Sequence, residues 1–276
     1  MPELDLSIVG KKSPEKIFEY KNKDVILYAL GIGAQISELP FIYEGVSGGL
    51  RVFPSFATIP KIAAFPKLGN ISFPRLLHGE ELIKLHKPFP ARGELICFSE
   101  VTSIYDKGKA AVINVTFTGL LKDRTPIYDV KTSFFYFGGG GFGGERGPKT
   151  ESLKPPEGVP PDFSLTYRPT KNQAALYRLN GDYNPLHIDE KAARLGGQEK
   201  PILHGLCTYG FATRAILYSL CDGDVSRFKE FKVRFSNVVY PGEALTTEGW
   251  KDNGRYLIQV KTERAVVLSN AYVIID

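Results

Sequence analysis

Residues 179–197 read LNGDYNPLHIDEKAARLGG, and three side chains within them, Asp182, Asn184 and His187, could do acid–base chemistry together. A carboxylate and an imidazole five residues apart do not share a face of a regular helix or strand. Asn184-Pro185 between them breaks that regularity, and Gly181 just before them permits a tight approach of the backbone. A bend of this kind aims a carboxylate, an amide and an imidazole at one small volume. That is the geometry needed to hold a single water between a base and an acid. A polar turn in which Asp182 caps the chain and His187 is a satisfied core histidine would use the same residues. Three polar groups converging on one bend, in one half of the chain only, favour function.

The elements around the bend must position it. Asp189 precedes EKAARLGG, a short helix ending at Gly196, which makes Asp189 an N-cap rather than a third catalytic group. Segment 203–221, LHGLCTYGFATRAILYSLC, predicts a long, largely buried helix stopped by Asp222-Gly223. His204-Gly205 opens it, where unpaired backbone N–H groups and the positive end of the helix dipole suit a developing negative charge. Gly205 has no side chain, so a carbonyl oxygen can approach its amide. A nucleophile built from Cys207 and His204 is the rival arrangement. Cys207 lies deep in the apolar helix and reads as a core thiol.

Residues 138–161, GGGGFGGERGPKTESLKPPEGVPP, are first Gly-rich and then Pro-rich, and predict a linker crossing the surface. Pro148, inside Gly147-Pro148-Lys149-Thr150, excludes a phosphate-binding loop. On either side of this stretch the chain repeats. Leu27-Tyr28-x-Leu30 returns 149 residues later as Leu176-Tyr177-x-Leu179, and Gly93-Glu94 returns at the same offset as Gly242-Glu243. Each half starts helical and ends in β-branched and aromatic runs, which predicts α+β architecture in two joined copies, residues 1–137 and 162–276. The copies are unequal. The offset sets Pro54 and Pro60 opposite Leu203 and Tyr209. A proline inside a helix costs ~3 kcal/mol or more, so the first copy cannot build the same helix and has room in its place. Gly33 and Glu38 fall opposite Asp182 and His187, so the first copy also lacks the polar bend.

With 43% hydrophobic and 24% charged residues, the 276-residue chain has the profile of a globular protein able to bury two cores. Its net charge of +5 comes from Lys and Arg dispersed among acids. Nucleic-acid binding is therefore not expected, while a CoA phosphate would be welcome. Cys97, Cys207 and Cys221 form no C-x-x-C pair and read as reduced thiols. No apolar run approaches the roughly 20 residues of a membrane helix. The start, MPELDLSIVGKKS, lacks the apolar stretch of a signal peptide, and the end, Ile275-Asp276, is not a peroxisomal address. A soluble intracellular protein without a membrane partner is expected. His78, His86, His187 and His204 show no H-E-x-x-H spacing, so neither a metal nor a redox cofactor is expected.

GDYNPLHID, followed by PILHG and a long apolar helix, resembles the Gly-Asp-x-Asn-Pro-x-His motif of R-specific 2-enoyl-CoA hydratases. LLHGEE at 76–81, YDKGK at 105–109 and RFSNVVYPGE at 234–243 resemble segments of the two-repeat form, the hydratase module of the peroxisomal multifunctional β-oxidation enzyme. The resemblance spans nearly the whole chain. It implies a tandem (double) hot-dog fold, with curved antiparallel sheets each wrapped around a helix, the first-half helix being interrupted. It implies hydration of trans-2-enoyl-CoA to (3R)-3-hydroxyacyl-CoA by Asp182 and His187, with Asn184 orienting the water and the Gly205 amide holding the thioester carbonyl. Which of the pair is base and which acid stays open. Substrate contacts are implied at His78, Gly79, Lys107 and Phe235, and in the motif itself at Gly181, Tyr183, Pro185 and Leu186. CoA belongs to the substrate, and no separate cofactor is implied. The degenerate half, 1–137, would take the acyl tail and the catalytic half, 162–276, the thioester. A homodimer, a peroxisomal setting and attached 3-hydroxyacyl-CoA dehydrogenase modules complete the expectation, although neither those modules nor a targeting signal stands in this chain. The rival readings are a hot-dog acyl-CoA thioesterase and a non-catalytic acyl-CoA-binding scaffold.

Overall fold

Strict alternation of apolar and polar residues builds most of the molecule. In the last strand of the first half, Tyr128, Val130, Thr132, Phe134 and Tyr136 are buried while Asp129, Lys131, Ser133, Phe135 and Phe137 are more exposed, the period of two that a half-buried strand requires. The computed structural model describes residues 4–149 and 151–276. Met1, Pro2, Glu3 and Thr150, which fall in the first copy and the linker inferred above, lie outside them.

The first half runs β1 (Lys16–Tyr20), α1 (Asn22–Gly31), the single turn α2 (Leu39–Ile42), β2 (Leu76–Leu85), β3 (Gly93–Asp106), β4 (Ala110–Leu120) and β5 (Pro126–Phe137). The second runs β6 (Phe163–Tyr167), α3 (Gln173–Tyr177), α4 (Glu190–Leu195), α5 (Gly205–Leu220), β7 (Phe228–Phe235), β8 (Leu245–Asp252), β9 (Arg255–Lys261) and β10 (Val266–Ile275). All ten strands form one sheet in the order β1-β3-β4-β5-β2-β7-β10-β9-β8-β6, so the second half mirrors the first strand for strand. Rather than two separate curved sheets, the double hot-dog has a single sheet joined where β2 and β7 pair antiparallel, Ile83 opposite Phe231. That pairing satisfies the edge N–H and C=O groups each half would otherwise expose.

α5 is buried on every side from Cys207 through Leu217, as a helix enclosed by a sheet must be. In the first half two 3-10 turns, Pro54–Thr58 and Pro60–Ala64, stand in its place. Each opens on a proline, whose fixed φ and missing N–H are tolerated at the start of a turn but not inside a helix. The interrupted helix is therefore real, and its cause is the one read from the sequence.

Two details go beyond the sequence reading. The glycine-rich stretch is tied to the end of β3: the Asp106 carboxylate accepts the N–H groups of Gly108, Gly141 and Gly143 at 2.7, 2.8 and 2.8 Å. Glu38, opposite His187 in the repeat, is buried in a two-point ion pair with Arg214 of α5, at 3.1 Å to Nε and 2.6 Å to Nη2. The first half keeps a carboxylate there, spent on packing the helix of the second. Among the described residues no helix is long and apolar enough to cross a membrane.

Candidate active site

The 3-10 turn Arg178–Asn180 ends at Gly181, whose φ of +118° is open to glycine and strained for other residues. Asp182 follows, and its Oδ1 accepts the Asn184 N–H at 3.2 Å. Asn184 Oδ1 accepts the Leu186 N–H at 3.1 Å, capping the 3-10 turn Pro185–His187. The bend is thus built from two successive side-chain caps with proline starting the turn between them. The cap bond holds the Asn184 carboxamide in place and leaves its two Nδ2 donors, with the second lone pair of Oδ1, for a ligand.

His187 is 9% exposed, and its Nδ1 lies 2.9 Å from the Ile202 carbonyl. A carbonyl only accepts, which puts the ring proton on Nδ1 and leaves Nε2 with its lone pair toward Asp182. The Nε2–Oδ2 distance is 4.0 Å, too long for a direct hydrogen bond and suited to one shared water. Burial holds the imidazole below its ordinary range, partly offset by the Ile202 carbonyl and by Asp182.

His204 stacks on His187 with ring centroids 3.7 Å apart, and its Nε2 lies 3.3 Å from the Asp182 carbonyl. Burial and then the neighbouring His187 push it down to about 4. Asp182, His187 and His204 bring potential metal-ligand atoms within 4.8 Å of one another, a grouping the sequence spacing did not foreshadow. With metal–ligand bonds of about 2.0–2.1 Å, two ligands of one ion stand no more than about 4.2 Å apart, so the trio would have to close up to hold one.

Gly205 starts α5, and His204 provides no side-chain cap, so the first amides stay open as expected. A Cβ at Gly205 would sit 3.2 Å from the Phe235 ring, so a side chain there would crowd both that ring and any approaching carbonyl. The Phe235 ring in turn meets His78 edge to face at 4.7 Å. Gly79 lies in a β-bulge between the pairs His78–Phe134 and Glu80–Ser133, where a Cβ would fall 2.5 Å from the Phe135 ring.

A cavity of about 260 Å³ is lined by Gly181, Asp182 and Leu206 of the second half and by His78, Ile59, Ile62, Phe65, Phe117 and Phe134 of the first. It occupies the space beside the broken helix. The structure brings Gly181, Asp182, His78 and Leu206 to this cavity, with His187 facing Asp182. Lys107 stands apart on the β3–β4 turn, exposed, its ammonium on the Arg146 carbonyl. Tyr183 is exposed with the Arg178 guanidinium 4.9 Å over its ring, and Leu186 packs against Gly196 behind the bend. Cys207 is a buried thiol raised well above its ordinary range by burial, which excludes it as a nucleophile. Lys61, Glu81, Thr132 and Tyr177 were not singled out from the sequence. One signal was available: Glu81 shares its strand face with the buried Ile83 and Leu85.

One continuous sheet around the intact helix α5, with the polar bend beside a cavity on the first-half side, defines a fused pair of hot-dog units. The chain matches the MFE-2 hydratase 2 N-terminal domain over residues 18–138 and the MaoC like domain over residues 152–272. The mouse peroxisomal multifunctional enzyme type 2 is 44% identical over 96% of this chain, which spans only 38% of that protein. The probable enoyl-CoA hydratase 2 of Dictyostelium discoideum is 40% identical, covering 98% of this chain and 95% of its own. Among solved structures, a MaoC-like dehydratase from Phytophthora capsici superimposes with a TM-score of 0.88 at 30% identity, over 99% of this chain and 98% of that one. The chain belongs to the enoyl-CoA hydratase 2 family, a family of hydro-lyases.

Proposed function

We propose that the protein adds water across the double bond of a trans-2-enoyl-CoA, forming the (3R)-3-hydroxyacyl-CoA in fatty-acid β-oxidation. The observation that carries this reading is the 4.0 Å gap between Asp182 Oδ2 and His187 Nε2 beside the cavity. A water in that gap donates to both groups. The Gly205 amide polarises the thioester carbonyl and leaves Cβ electron-poor. The water oxygen bonds to Cβ as one of its protons passes to the pair, and the pair returns a proton to Cα from the same face. Substrate gains H and OH, and the site ends as it began. The Nε2 lone pair suits His187 to receive the proton. The acyl tail runs over Leu206 toward Phe65 and Phe134. No separate cofactor enters the scheme.

The mouse and slime-mould relatives, named for a peroxisomal multifunctional enzyme and an enoyl-CoA hydratase 2, support both the reaction and a peroxisomal setting. Assembly as a homodimer and linkage to 3-hydroxyacyl-CoA dehydrogenase modules belong to the same proposal, and sedimentation of the full chain tests the first.

The test of the reaction is hydration of trans-2-enoyl-CoA followed by loss of enoyl-thioester absorbance. Asp182→Asn and His187→Gln are each expected to slow it by about 10²–10⁴-fold. The double variant should cost little more than either single one, because a single water is activated by a unit. Near-normal activity in a folded single variant removes the pair from the mechanism. Coupling to enantiomer-specific dehydrogenases reads the stereochemistry, and NADH formed only with the 3S-specific enzyme overturns the 3R assignment. Release of free CoA thiol would make the protein a thioesterase instead.

A further inference from the structure

The first-half wall of the cavity is not purely hydrocarbon. Lys61, in the second proline-started turn, is 5% exposed and pairs with Glu81 of β2, which is wholly buried. Lys61 Nζ also donates to Thr132 Oγ1 at 3.1 Å, and Thr132 donates to Glu81 Oε2 at 2.7 Å. His78 Nε2 meets the same carboxylate oxygen at 2.9 Å. Burial disfavours the charge on Glu81, but Lys61 and His78 hold its carboxyl well below the usual range. An ammonium has three donors, and these bonds use two. Among the described residues the third has no acceptor, and the Phe117 ring of the cavity wall lies 5.6 Å from Nζ. Thr58 and Tyr177 line the same cavity, and the Tyr177 hydroxyl is buried with no hydrogen bond of good geometry among the described residues.

Stability does not explain this arrangement. Replacing a buried ion pair by apolar side chains of similar volume is often neutral or stabilising. A saturated tail would lie against Lys61 and Tyr177 without giving either an acceptor, whereas an oxygen on the chain would give one.

We propose that the preferred acyl group carries a neutral oxygen, a hydroxyl or keto group part-way along the chain, which accepts the third N–H of Lys61. The proposal rests on the hydratase reading above. A neutral oxygen fits better than a carboxylate, because Lys61 and Glu81 already balance one another and a further anion would be buried uncompensated.

The experiment compares wild-type hydration of trans-2-decenoyl-CoA with that of the same thioester bearing a keto or hydroxyl group at one of the sixth to ninth carbons. At least one oxygenated chain should exceed the plain one in kcat/KM by about tenfold, or about 1.4 kcal/mol. Lys61→Met combined with Glu81→Gln removes both charges together and should reverse the order, raising the plain chain and lowering the oxygenated one. Thermal unfolding checks that this variant folds, and if it does not, the wild-type series still decides. Hydration of the plain chain with no preference at any position overturns the proposal and leaves the hydratase reading intact. A preference that persists in the double variant also overturns it. Failure to hydrate any of these thioesters overturns the hydratase reading and this proposal with it.

Discussion

His204 links the two parts of the site: its ring stacks on His187 and its Nε2 meets the Asp182 carbonyl, so the bend is tied to the start of α5. The tie has a consequence for stability. Burial and His187 lower the His204 pKa from 6.5 to about 4, so between those values the unfolded chain binds more protons than the folded one. Stability then rises with pH across the window, is in full force above 6.5, and is lost as pH falls toward 4. His204→Asn carries no titrating group, so its urea midpoint should fall less than that of the wild type between pH 7 and pH 4. Parallel falls in the two proteins would mean that His204 contributes nothing to the acid sensitivity. That Asp182 and His187 face one another was legible beforehand, because one bend of six residues carries both. The Lys61–Glu81–Thr132 cluster was not, since strand pairing sets Thr132 beside Glu81 and the turn Pro60–Ala64 then lays Lys61 over both, contacts between residues far apart in the chain.

At the scale of elements, punctuation was easier to read than pairing. Pro54 and Pro60 broke the first-half helix as their chemistry requires, and Asp189 caps α4 by accepting the Ala192 N–H at 2.7 Å. The Gly-rich stretch was read as a surface linker, and glycine's freedom in an unfolded chain says nothing about whether an acceptor awaits the folded one. Asp106, at the end of β3, is that acceptor, and backbone N–H groups from Gly141 and Gly108 hold its carboxyl below the usual range. Asp106→Ala should therefore lower the Tm and speed limited proteolysis between residues 138 and 149. Hydration of a short enoyl-CoA should change little, because none of these residues touches the cavity. An unchanged cleavage rate would mean that the segment is held by something other than Asp106.

At the scale of the molecule, the two halves share one sheet, and the strands that join them are the ones that flank the site. β2 carries His78 and Glu81, β7 carries Phe235, and they pair antiparallel from Glu80–Arg234 to Lys84–Glu230. The repeat was visible at the 149-residue offset, but the continuity of the sheet was not, because pairing between distant strands leaves no local mark. Residues 162–276 expressed alone would expose the β7 edge that β2 now covers. An antiparallel pair can form between identical strands across a two-fold axis, so β7 of a second copy is the natural replacement. Such a dimer would own two Asp182–His187 bends. It would also set an intact α5 where the proline-broken turns now leave the cavity, and the tail would have nowhere to go. The expected outcome is aggregation, or a dimer that hydrates four-carbon enoyl-CoA and loses long chains. Sedimentation and a chain-length series on the fragment measure both. A monomer that unfolds cooperatively and keeps full long-chain activity would show that the acyl tail does not lie in the first half.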